Sequence, residues 1–295
     1  GSNSNLLSSE LATHLTGRHL PIRIFPFSFS EYVNALDKEM TQSELKEIFN
    51  DFLINGGYPE PLINSIDYVQ YLKVLFDSTL FKDIVKRYNI RQPGALENLA
   101  NYIISNICSE FSLNSLSSHT QISSVHTVKK YLGYLEEAFI FFTLPRFSFK
   151  VREQQQSNRK IYCYDNGFHQ AKAFNFINNW GTLLENLIAS ELIKQSWTKN
   201  FKLFYWKGRE GEEVDFVIQE GNEITKLIQV CWNPERAKTR EREIRALLKA
   251  SQLNKNASLL VLTLDEETIE KESWYGIEGE IRYIPAWKWL LDNAF

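Results

Sequence analysis

Glu185, Asp215 and Gln229 are the residues whose types and spacing suit chemistry. Asp215 lies in Glu213-Val214-Asp215-Phe216-Val217-Ile218 and Gln229 in Leu227-Ile228-Gln229-Val230-Cys231-Trp232, two alternating apolar segments joined by Gln219-Glu220-Gly221-Asn222-Glu223. Gly and Asn tolerate the positive φ of a tight turn, so the pair reads as a β-hairpin. Carboxylates that converge with an amide or carbonyl oxygen bind a hard cation such as magnesium, which positions and activates a water for attack on a phosphodiester. Asp215 is the expected metal ligand, Glu185 on a helix the second acid, and Gln229 or the Val230 carbonyl a further oxygen. The set lacks a cation beside the water or phosphate. Cys231 does not provide one, because a neutral thiol carries no charge. Lys207 and Lys226 are near in sequence, and Arg240, Arg242 and Arg245 could supply charge from the next helix. Without such a charge, Glu185, Asp215 and Gln229 read as a degenerate site, a fold retained beyond its chemistry.

The elements that must position these residues follow from periodicity. Residues 180–197 carry a helical stripe, residues 201–206, 214–218 and 226–231 read as strands, 239–250 as a charged helix and 258–264 as a buried strand; residues 282–291 end the pattern. Helix, three strands, helix and strand in that order imply a mixed sheet covered by helices. Upstream, residues 6–15 read as a helix, 19–27 alternate as a strand, and 28–36 start another helix. Residues 43–91 are helical, broken at Gly56-Gly57-Tyr58-Pro59.

After Pro93-Gly94 come three helical segments, the third with Val125, Val128, Leu132, Leu135 and Phe139 at spacings of three and four. Two strand-like segments follow, residues 139–149 and 160–164, separated by a polar stretch. Helices followed by a β-ribbon are the winged-helix layout. Lys129 and Lys130 lie off the apolar stripe of the third helix, and Arg146, Lys150, Arg152, Arg159 and Lys160 in or beside the ribbon. Together they suit phosphates, while Ser123, Ser124, His126 and Thr127 at the helix start could reach base edges. The same layout also serves protein docking. Asp165-Asn166-Gly167 reads as a turn.

Composition narrows the class. At 295 residues with 43% hydrophobic content the chain has the length for two or three domains with buried cores. A formal charge of -3 leaves room for a nucleic-acid surface only as a local patch. Cys108, Cys163 and Cys231 lack any CxxC spacing, and the histidines lack ligand spacing, which argues against structural zinc and a disulfide framework. No apolar run reaches the roughly 18 to 20 residues that span a bilayer, so a cytoplasmic location without membrane contact is expected.

Residues Ser2-Asn3-Ser4-Asn5-Leu6-Leu7-Ser8-Ser9-Glu10, Leu15-Thr16-Gly17-Arg18 and Phe25-Pro26-Phe27-Ser28-Phe29-Ser30-Glu31-Tyr32 resemble the back half of the ATPase core in a bacterial and archaeal group of AAA+ superfamily proteins. In that group a helical and winged-helix middle precedes a C-terminal domain similar to PD-(D/E)XK nucleases. The resemblance covers essentially the whole chain. It implies a larger protein that binds ATP and magnesium through Walker motifs before Gly1, with Ser2 or Asn3 at the position that senses the γ-phosphate. Arg18 would approach the nucleotide of its own or a neighbouring subunit of a homo-oligomer. The family's nuclease motif runs Gly-Glu-Val-Asp-Phe-Val, then Ile-Glu-Val-Lys. Glu185 and Asp215 match its acids, Gln229 stands for the second acid and Cys231 for the lysine.

The resulting expectation is a mixed α/β chain in four parts: residues 1–42 as the end of an AAA+ core, 43–92 as a helical linker, 93–168 as a winged helix and 169–295 as a restriction-endonuclease-like sheet flanked by helices. Its expected function is binding of duplex DNA or a protein partner under ATP control, without cleavage. A metal-dependent DNA endonuclease and an ATP-regulated protein-interaction module are the alternatives.

Overall fold

The computed structural model describes residues 22–173, 179–233 and 237–292 and has a mixed α/β fold with two sheets. The described residues divide into two units: one of residues 22–27, 54–143 and 161–173, the other of residues 28–53, 144–160, 179–233 and 237–292. Among the described residues no helix is long and apolar enough to cross a membrane, and Cys108, Cys163 and Cys231 form no disulfide.

Residues 22–27 form no strand, contrary to their alternation. Pro26 has no N–H for a ladder. Phe27 instead donates to Gly57 O at 2.8 Å, and Phe25 stacks on Tyr164. α1 (Phe29–Ala35) opens with a capping box in which the Ser28 hydroxyl accepts from Glu31 N–H while the Glu31 carboxylate accepts from Ser28 N–H. Its Phe29 and Tyr32 share one face and pack on Phe49 and Phe52 of α2 (Gln42–Asn55), with ring centroids 5.1–5.4 Å apart. α3 (Pro59–Asn64) and α4 (Tyr68–Ser78) follow the break, and α4 runs on into a π-helical stretch, Thr79–Val85, where the Thr79 hydroxyl bonds back to Leu75 O.

α5 (Pro93–Ile104), β1 (Glu110–Phe111), α6 (Leu113–Thr120), α7 (Val125–Glu137), β2 (Phe141–Pro145), α8 (Val151–Gln156) and β3 (Arg159–Cys163) come next, and the strands pair in the order β1-β3-β2. The stripe on α7 buries Val128, Leu132 and Leu135 in one core with Leu96, Leu99 and Ile103 of α5. The polar stretch between the ribbon strands is helical as α8, a short helix with no buried residue. Asp165-Asn166-Gly167 is the start of α9 (Asn166–Lys172), not a free turn. The Asp165 carboxylate accepts from Gly167 N–H at 2.9 Å and from Gly57 N–H at 2.7 Å. Gly56, at φ +76°, has to be glycine there, since a Cβ would lie 1.8 Å from Asp165 Oδ1.

The larger sheet belongs to the second unit. α10 (Trp180–Ser196) leads into β4 (Phe201–Lys207), β5 (Glu213–Glu220) and β6 (Glu223–Cys231); α11 (Ala237–Ala250) then crosses to β7 (Ser258–Thr263). β4, β5 and β6 pair antiparallel and β6 pairs with β7 in parallel. Gly221 at φ +59° turns the β5–β6 hairpin. Leu259, Val261 and Leu262 of β7 are buried, as expected for a strand with parallel neighbours and covered faces. β8 (Thr268–Trp274) and β9 (Ile277–Pro285) form a hairpin through Tyr275-Gly276, and β9 joins β7 to complete the order β4-β5-β6-β7-β9-β8. α12 (Ala286–Leu291) buries Trp287 and Trp289.

Candidate active site

The β5–β6 register sets Phe216 opposite Ile228, so Asp215 and Gln229 lie next along the ladder. Asp215 N–H donates to Gln229 Oε1 at 3.3 Å, and Val230 N–H donates to Asp215 Oδ2 at 3.0 Å. Residues two apart on a strand share a face, which brings Glu213 beside Asp215. α10 contributes Glu185 and α11 contributes Glu243; all of them line one cavity of about 410 Å³.

Between three of these acids is an ammonium group. Lys160 Nζ on β3 lies 2.9 Å from Glu185 Oε1, 2.5 Å from Glu213 Oε1 and 3.3 Å from Asp215 Oδ1, with its side chain 4% exposed. The Tyr205 ring is 5.9 Å from Nζ, and its hydroxyl donates to Asn158 O at 2.8 Å, which ties β4 to the start of β3. On the far side the Gln229 amide donates to Glu243, which also accepts from Arg242 at 2.5 Å. The acids outnumber the cations, and burial sharpens the imbalance. Asp215 is pushed up to about 7, chiefly by burial and then by the charge of Glu185, against the pull of Lys160 and the Val230 N–H. Glu243 is likewise raised to about 7 by burial and by Asp215, with Arg242 opposing. Burial and Glu243 raise the Cys231 thiol to about 11, so it is neutral near pH 7.

The structure thus brings Glu185, Asp215 and Gln229 together, and it moves Lys160 out of the basic set expected on the ribbon. Lys160 is a buried ion-pair partner there, with no surface to offer a phosphate backbone. Gln229 has its amide oxygen on Asp215 N–H and its amide nitrogen on Glu243. Of the cations considered for the gap left by Cys231, only Arg242 lines the cavity. Arg240 is engaged by Glu266 at 2.9 Å and Glu270 at 2.6 Å, Arg245 lies 3.9 Å from Glu212, and Lys226 lines a separate hollow with Lys199 and Glu220.

Ser124 caps α7 by accepting from Thr127 N–H, and Lys129 and Lys130 are exposed on α7, with Lys130 5.8 Å from the Tyr134 ring centre. Arg152 on α8 and Arg159 on β3 are exposed and belong to the second unit. Ser2, Asn3 and Arg18 lie outside the described residues. Sequence reading placed neither Glu213 nor Glu243 at the site and assigned Lys160 to the ribbon. Glu213 had a signal in its two-residue spacing from Asp215. Lys160 had one in directly adjoining the apolar run Ile161-Tyr162-Cys163, and Glu243 had none.

Among the described residues no group of three or more His, Cys, Asp or Glu side chains is set to hold a metal ion. The acids are spaced around an ammonium instead. Their chemistry, all carboxylate oxygen with a surplus of negative charge, still fits a hard divalent cation. Asp215 and Glu185 are the residues that would hold it.

Two family models match the chain: DUF8612, a domain of unknown function, over residues 46–176, and DUF4143, another domain of unknown function, over residues 180–287. An uncharacterized protein of Methanocaldococcus jannaschii, MJ1544, is 34% identical over 307 aligned positions that cover 99% of this chain and 68% of that protein. An uncharacterized protein of Haemophilus influenzae is 29% identical over 243 positions, covering 79% of this chain and 58% of its own length. Among solved structures, a Thermococcus gammatolerans assembly of McrB AAA+ hexamers with bound McrC gives a TM-score of 0.28 at 13% identity, covering 68% of this chain and 52% of that one.

Proposed function

We propose that this chain, which belongs to the family of the uncharacterized protein MJ1544 of Methanocaldococcus jannaschii, carries a phosphodiesterase site for DNA of the PD-(D/E)XK type. The observation that carries the reading is Lys160 Nζ, held by Glu185 and Asp215. The sequence argued against cleavage because no lysine follows Gln229, and Lys160 supplies that charge from a different strand. The element order α10-β4-β5-β6-α11-β7, with antiparallel pairs followed by a parallel one, supports the nuclease-like fold.

Each residue has a defined task in this reading. Asp215 and Glu185 would hold magnesium, which would supply a polarised water and neutralise charge on the phosphate. Lys160, buried behind Glu185 and Asp215 and not on the cavity wall, offsets from there part of the negative charge gathered at the site. Glu243, poised near neutral pH, holds or releases a proton at its carboxylate and keeps the Gln229 amide oriented. Cys231 takes no part, as a neutral thiol.

The remainder of the proposal concerns the larger protein. The AAA+ resemblance of residues 2–32 points to an ATPase, probed through Ser2, Asn3 and Arg18 and using ATP with magnesium in a homo-oligomer. The order α5-β1-α6-α7-β2-α8-β3 with sheet order β1-β3-β2 supports a winged helix that contacts duplex DNA through Ser124, Thr127, Lys129 and Lys130. A second reading, binding of DNA or a protein without cleavage, is favoured by one observation: both ends of the Gln229 amide are already bonded within the protein. Supercoiled plasmid and plasmid carrying a single-stranded gap, each with magnesium or manganese, separate the two. Nicking that is lost in Asp215→Ala supports the phosphodiesterase, and intact plasmid with either metal supports the second reading.

A further inference from the structure

A groove of about 570 Å³ in the second unit, distinct from the acid cavity, is walled by Arg146, Phe149, Trp206, Lys207 and Arg209. Phe149 is 66% exposed, a large apolar ring left in water. It is nonetheless held in place, edge-to-face on Phe147 at 5.1 Å, and Phe147 is held the same way on Phe204 at 5.5 Å. Trp206 lies against Gly208, where a Cβ would come 3.0 Å from the indole and 2.3 Å from Glu212 Oε2. The charge of the groove is one-sided. Arg146, Lys207 and Arg209 face Glu153, whose carboxylate is already engaged by Lys150 at 2.9 Å and by the Ser148 hydroxyl at 3.0 Å. The Arg146 guanidinium is oriented by its bond to Lys207 O.

Fixed aromatic rings alternating with cations suit single-stranded DNA. Unpaired bases stack on the rings while the backbone follows the positive charge; a duplex keeps its base faces inside the stack and cannot use them. An acidic protein segment would satisfy the cations but leave the exposed ring without a planar partner. The connection from β4 to β5 links this groove to the acids. Gly208 and Arg209 border the groove, Gly211 and Glu213 border the acid cavity, and the loop is braced by Gly208 N–H on Glu212 O and by Lys249 on Glu212, 2.7 and 2.6 Å.

We propose that this groove binds a single strand of DNA and delivers it along the β4–β5 connection to the acid cavity, so that the substrate of the proposed phosphodiesterase site is DNA with a single-stranded stretch. This inference rests on that site for the delivery step and on the groove alone for the binding step.

The test is fluorescence anisotropy of a labelled oligo-dT of about 12 nucleotides, within the site sizes known for single-strand grooves, with the full chain in EDTA. Binding is expected, with Phe149→Ala and Arg209→Ala each weakening it about tenfold, and with Arg209→Ala lowering the salt slope by about 0.7. Both side chains are exposed, so neither substitution disturbs folding. No binding at low salt, or binding indifferent to both substitutions, overturns the inference even where plasmid is cut with magnesium. Groove-dependent binding beside gapped plasmid left uncut with magnesium leaves the binding step standing and sinks the delivery step together with the phosphodiesterase reading.

Discussion

Lys160 Nζ lies 3.3 Å from Asp215 Oδ1, although the two residues are 55 positions apart and lie on strands of different sheets. A lysine buried to this degree persists only where carboxylates surround it, and these carboxylates persist only because it is there. Removing the ammonium leaves Glu185, Glu213 and Asp215 facing one another. Lys160→Met is therefore expected to destabilise the second unit by about 3–5 kcal/mol in urea unfolding, with much of the loss recovered when Asp215→Asn is combined with it. Additive effects of the two substitutions would show that they do not interact.

The raised carboxyls of Asp215 and Glu243 set a pH dependence. Between about pH 4 and pH 7 the folded chain retains protons at these groups that the unfolded chain has released, so their contribution to stability falls as pH rises through that window and levels off above it. Asp215→Asn removes one of the two titrating groups. Its urea midpoint should exceed that of the parent at pH 8 and approach it at pH 4; a constant difference at both values would contradict the assignment.

Magnesium should act on the same groups. Because the metal requires ionised carboxylates, its stabilising effect is larger at pH 8 than at pH 6. Thermal melts of the full chain with and without millimolar magnesium read this directly, and Asp215→Asn should abolish the shift at both pH values.

Gly56 makes a prediction for the first unit. With φ at +76° and Asp165 Oδ1 in the space a Cβ needs, Gly56→Ala should destabilise by more than about 1 kcal/mol, the cost a positive φ alone imposes, because the Asp165 bonds to Gly57 and Gly167 must also yield. Equilibrium unfolding of the full chain measures it.

Much of the second unit was legible in the sequence because its strands are apolar and alternate. The β5–β6 hairpin shows in the turn at Gly221, and β7 in its unbroken run from Leu259 to Leu262. The hairpin of β8 and β9 was not, since β8 carries Glu270, Lys271 and Glu272 and alternates between half-buried and exposed positions at a sheet edge. At the site, strand and helix periodicity found Glu185, Asp215 and Gln229. Lys160 read as a ribbon cation because its place depends on carboxylates distant in sequence, and local spacing records nothing of that convergence. The same holds for Asp165, whose turn signal was real but serves as a helix cap that grips Gly57.

A transplant tests most directly whether Lys160 stands in for the lysine absent at Cys231. Cleavage of plasmid DNA carrying a single-stranded gap would be timed with magnesium for the parent chain, for Lys160→Gln, and for Lys160→Gln combined with Cys231→Lys. Cleavage by the parent, its loss by about a hundredfold or more in Lys160→Gln, on the scale of losing one charge-stabilising group, and partial recovery in the combined variant are the predicted results. Undiminished cleavage in Lys160→Gln, or no metal-dependent cleavage by the parent, would contradict the claim.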